Sequence, residues 1–111
     1  MAKSRKRKRT LGSPALDHAH EAKISAENAG SAARLAIRNL TFKPMDCEAA
    51  ANQLRDMEMY RGISLHAQDS ASAHRIHLDH DHDWPKVWER TVQDMLKARA
   101  LFMSRCRIVP R

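Results

Sequence analysis

Four histidines and three aspartates crowd into ten residues of this chain, His74-Arg75-Ile76-His77-Leu78-Asp79-His80-Asp81-His82-Asp83. Imidazole nitrogens and carboxylate oxygens bind Zn²⁺ or Ni²⁺. His77, His80 and His82 stand close enough in sequence to converge on one ion, with Asp79, Asp81 or Asp83 as an oxygen ligand or as the group that orients a ring. Structural zinc sites, however, usually join two separated ligand clusters, and this is a single linear run with no cysteine beside it. The balance favours a solvated polar loop whose acids and histidines offset one another. No cofactor is therefore expected, and zinc held by His77, His80 and His82 stands as the alternative. A third reading is a pH-responsive loop, since protonation below about pH 6.5 removes its local negative charge. His18 and His20 read as surface residues.

The second group is electrostatic. Lys3, Arg5, Lys6, Arg7, Lys8 and Arg9 place six positive charges in seven positions, and no acid precedes Asp17. The whole chain has 20 Lys+Arg and 13 Asp+Glu, a net of +7. Removing those six bases leaves 14 against 13, so the basic excess belongs mostly to this leader. Adjacent like charges repel and present no apolar face, so residues 1–12 are expected to be a disordered arm until an anion compensates them. The matching anion is the phosphate backbone of nucleic acid. Six phosphate contacts would give a log–log salt slope of about −5 on duplex DNA. A localisation signal or a solubilising tail explains the same residues less fully. Lys97, Arg99, Arg105 and Arg107 form a second cluster, readable either as a further phosphate-contacting surface or as a helix end that suits the C-terminal dipole.

Other chemistry finds no footing. The chain lacks GxSxG, a glycine-rich phosphate loop, HExxH and a dinucleotide fingerprint, and its three glycines leave little for a backbone phosphate cradle. Asp56 and Glu58 lie two apart on a helix and do not face each other. A non-enzymatic protein is expected. The longest runs free of charged residues, 10–16 and 62–68, are far shorter than the roughly 20 residues a spanning helix needs, and no apolar stretch follows the basic leader as in a secretory signal. The chain is expected neither to span a membrane nor to be secreted. Cys47 and Cys106 lie in different expected helices without CxxC spacing, and read as buried thiols in a reducing compartment.

The elements that carry these groups follow from periodicity. Ser13 caps a first helix beginning at Pro14 and running to about Leu40, with Asp17 and Glu21 near its positive end. Its seam, Ala19, Ala22, Ala26, Ala29, Ala33, Ala36, Leu40, repeats at steps of three and four and is almost wholly alanine, which permits close helix approach. Lys43-Pro44 breaks the helix. A second runs from about 44 to 74 with the stripe Cys47, Ala50, Leu54, Met57, Tyr60, Ser64, Ala67, Ala71, and is expected to continue through Gly62. The pair predicts an antiparallel hairpin. After the loop 75–83, Asp83 caps a third helix, 84–107, presenting Trp84, Trp88, Val92, Met95, Phe102 and Cys106. Both tryptophans lie there, so this helix is expected to bring most of the large apolar area to the core. The methionines Met45, Met57, Met59, Met95 and Met103 read as core filling. The fold class is all-α, a helical hairpin plus a third helix in a small three-helix bundle-like domain over 13–111. With only 5% aromatic residues its core is thin, and self-association into a homo-oligomer is one way to cover more surface.

The opening Lys3–Arg9, then Thr10-Leu11-Gly12-Ser13-Pro14, the alanine-rich helix, and Asp46-Cys47-Glu48-Ala49-Ala50 leading into the second helix resemble the small uncharacterised accessory proteins of gokushovirus-like microviruses, tailless single-stranded DNA phages. The likeness covers about the first two-thirds of the chain. It implies a phage accessory protein located in the cytoplasm of the bacterial host or associated with the virion, with DNA more than RNA as partner and a viral protein as a further candidate partner. It transfers no catalytic residue. The expected function is sequence-independent nucleic-acid binding in genome packaging or handling. The competing expectation is a helical adaptor or scaffold whose alanine seam meets a partner helix while the basic arm docks on an acidic surface.

Overall fold

The computed structural model describes residues 14–73 and 84–106, with side chains from residue 18 onward. These form three α-helices and no strand: α1 (Pro14–Thr41), α2 (Cys47–Ala73) and α3 (Trp84–Arg105). The all-α fold expected from the sequence is therefore the fold observed. Contacts between residues 22 and 64, and between 39 and 53, run in opposite senses, so α1 and α2 form the antiparallel hairpin. Residues 26, 34 and 40 meet 91, 94 and 105 in the same order, so α3 returns parallel to α1.

The alanine seam explains the packing. Ala22, Ala26, Ala29, Ala33, Ala36 and Leu40 are all buried. Their small side chains let both other helices lie close on α1, which sits between them, while α2 and α3 touch each other far less. From α2 come Ala50, Met57, Ser64, Ala67 and Ala71, close to the expected stripe, with Cys47, Leu54 and Tyr60 partly covered beside it. The core is thus built on small residues, and the largest fully buried side chains among the described residues are Leu40, Met57 and Ser64. The third helix does bring large side chains inward: Trp84 is buried and stacks on the half-buried Trp88, with centroids 5.7 Å apart, while Met95 and Ala98 enter the central cluster. One expectation is corrected here. Of the methionines, Met57 and Met95 fill the core, but Met45, Met59 and Met103 are exposed.

The turn between α1 and α2 satisfies the helix ends that it separates. Phe42 N–H donates to Arg38 O at 3.0 Å and Asp46 N–H to Asn39 O at 2.9 Å. The Asp46 carboxylate accepts from Ala49 N–H at 2.9 Å, which makes it the cap of α2. The second helix therefore begins at Cys47 and not near Pro44, which lies in the turn after a cis Lys43–Pro44 bond. Gly62 lies within the continuous α2, as expected, in open space. Gly30 is the glycine at a helix crossing: a Cβ there would stand 3.2 Å from Thr91 Oγ1 and from an Arg34 guanidinium nitrogen.

The cysteines require the plainest correction. Cys47 and Cys106 are joined in a disulfide, their Cα atoms 5.8 Å apart across a sequence separation of 59. The bond ties the start of α2 to the end of α3, at the elbow where α1 ends. The reading as thiols failed because the pairing depends on how two helices are laid side by side, which spacing along the chain does not encode.

Candidate functional site

Lys3, Arg5, Lys6, Arg7, Lys8 and Arg9, the arm 1–12, Ser13, the loop 75–83 with His77, His80 and His82, the Asp83 cap and Arg107 lie outside the described residues. Among the described residues no three His, Cys, Asp or Glu side chains gather as a metal site. None of the described helices is long and apolar enough to cross a membrane.

Three members of the C-terminal basic cluster are described, and the fold gives them different work. Arg105 donates to Leu40 O at 2.7 Å, so its guanidinium closes one of the free carbonyls at the end of α1 beside the disulfide. Arg99 bonds Glu58 across the α2–α3 side, and Glu58 also lies 3.6 Å from Arg61. Only Lys97 is exposed with no such contact among the described residues. The cluster is thus divided between joining helices and facing solvent.

A basic surface does exist on α3, assembled from Lys97, already expected from the sequence, and two residues outside that expectation. Lys86, Arg90 and Lys97 are exposed, and their spacings of four and seven put all three on one helical face. Arg34 of α1 sits at the edge of this face, bonded to Asp94 at 2.8 Å. Arg34 and Arg90 line a common 270 Å³ hollow with Glu27, Ser31, Val87 and Thr91. Their helical spacing from Lys97 was the signal that would have found Lys86 and Arg90; Arg34 joins only through tertiary contact.

A second groove, 200 Å³, opens where α2 and α3 stand apart, lined by Arg61, Leu65, Trp88, Val92, Met95, Leu96 and Arg99. It has an apolar floor with arginines at its rim. No pair of polar groups in it has the geometry of a nucleophile and its base.

No family model, curated protein or solved structure matches the chain. Its reading rests on its own residues.

Proposed function

We propose that this chain is a non-enzymatic accessory protein that binds nucleic acid without regard to sequence, DNA in preference to RNA, in the packaging or handling of a viral genome. The observation that carries the proposal is the density of charge at residues 3–9 set against a nearly neutral remainder. Such an arm releases condensed counterions from phosphates, a contribution that is large and indifferent to base order. The exposed Lys86, Arg90 and Lys97 of α3 offer the body a further phosphate-facing surface. The helices contribute a scaffold rather than a reading head, since no aromatic residue interleaves the basic run to stack on bases.

The adaptor reading loses the surface on which it relied, because the alanine seam is filled by the chain's own α2 and α3. The disulfide bears on location. Such bonds persist where the glutathione pool does not reduce them, and this favours association with the virion over residence in the host cytoplasm.

The test is a fluorescence-anisotropy titration of duplex and single-stranded DNA at several salt concentrations. The intact protein should bind with a duplex log–log slope of about −5. Glutamine at Lys3, Arg5, Lys6, Arg7, Lys8 and Arg9 together should flatten that slope and abolish tight binding. Affinity unchanged in this variant defeats the proposal.

A further inference from the structure

The face of α1 opposite the alanine seam is turned to solvent, yet it carries three large apolar side chains in register. Ile24, Leu35 and Phe42 are 42%, 45% and 62% exposed. Their separations of 11 and 7 residues are close to whole numbers of turns, and Phe42 continues the helical hydrogen bonding through its N–H to Arg38 O. Exposed Ser31 falls on the same line. Beside Ser31 and Leu35, with Arg34 and Arg38, lies an open hollow of 500 Å³.

We propose that this face pairs with the same face of a second copy of the chain, the two α1 helices antiparallel about a two-fold axis between Ser31 and Leu35. The charges select the occupant and the direction. Glu27 lies in the first half of α1 and Arg38 in the second, on the same flank of the stripe, and neither has an ion-pair partner among the described residues. Arg34, on the same side, is already engaged by Asp94. A parallel pair would put these flank charges of the two copies on opposite sides of the interface, where they cannot meet. Reversing one helix brings Glu27 of each copy within a turn of Arg38 of the other, twice by symmetry. The same register sets Leu35 against Ser31 of the second copy, a large side chain facing the small one at the hollow, and Ile24 against Phe42. The surface is self-complementary in size and in charge together, which a face left for solvent has no reason to be.

This pairing deepens the nucleic-acid reading without depending on it. With 1.5 Å per residue, the two Pro14 positions would lie about 55 Å apart at opposite ends of the dimer, so the two basic leaders would start from separate points and reach separate phosphates. The dimer is therefore measured on nuclease-treated full-length protein, with its 260/280 absorbance ratio confirming that no nucleic acid remains. Failure of pairing and failure of DNA binding are then distinct results.

Sedimentation equilibrium over a micromolar to millimolar range should show a monomer–dimer equilibrium. Arg38→Glu and Glu27→Arg should each weaken it at least tenfold, and the double variant Glu27→Arg/Arg38→Glu should restore it. Leu35→Ser should weaken it similarly while helical circular dichroism is unchanged, because Leu35 is exposed and lies outside the core cluster. A wild-type chain that stays monomeric throughout, or a charge-swapped variant no better than its single parents, overturns the proposal.

Discussion

Two buried hydroxyls fasten the outer helices to the central one. Ser64 of α2 donates to Ala22 O at 2.8 Å, and Thr91 of α3 donates to Ala26 O at 3.1 Å. Each uses the second lone pair of a carbonyl one turn from the other, on a seam whose alanines have no polar atoms to offer. Replacing Thr91 with Val keeps the shape and removes the donor, which should lower stability by about 1 kcal/mol in a urea titration. Ser64→Ala should cost a similar amount, with Gln68, whose amide donates to the Ser64 hydroxyl at 3.2 Å, losing an acceptor as well. The glycines separate by the same logic. Gly62→Ala meets nothing within 4 Å and should stabilise the protein by about 0.5–1 kcal/mol through helix propensity. Gly30→Ala must displace Thr91 Oγ1 and the Arg34 guanidinium, so it should gain less than Gly62→Ala in the same assay.

The elbow where α1 ends gathers three elements through a few contacts, and its disulfide is the strongest of them. Joining positions 59 apart removes loop entropy from the unfolded chain worth about 4 kcal/mol on the polymer estimate. Thermal or urea unfolding with and without a reductant should therefore differ markedly, and Cys47→Ser/Cys106→Ser should match the reduced wild type. Arg105→Ala should cost about 1 kcal/mol by freeing Leu40 O. It should leave the salt dependence of DNA binding almost unaltered, because this guanidinium is committed to a helix end. Lys97→Ala should do the reverse, with unchanged melting and a slightly shallower salt slope. The two residues belong to one basic cluster in sequence and to different tasks in space.

Seen as a whole, the molecule is a hairpin with a third helix laid along its first arm, and among the described residues the α2–α3 side is joined at points: the disulfide, the Glu58–Arg99 pair and the rim of the apolar groove. Small side chains supply close approach but little buried area, so such a body depends more than most on its covalent tie, and the proposed pairing with a second copy would add to it. If both operate, reducing the disulfide should make the melting temperature depend more steeply on protein concentration, as expected when assembly carries a larger share of stability. A scan of melting temperature against concentration, in oxidised and reduced protein, checks this.

Periodicity alone determined that this chain makes three helices, that Ala22 to Leu40 is the seam, that Cys47 to Ala71 lies along the facing stripe, and that a break falls at Lys43-Pro44. Each of these rests on the 3.6-residue repeat and on local backbone preference, which neighbours along the chain dictate. The fold decided what depends on the placing of one helix against another. It joined Cys47 to Cys106, gave Gly30 and not Gly62 the close crossing, bonded Arg99 to Glu58 and Arg105 to Leu40 O, and left Ile24, Leu35 and Phe42 on the outside. A helix with apolar residues on two faces does not announce which face its own chain will cover. The narrow alanine face won because two helices pack closely there, and the wider side chains opposite were left exposed.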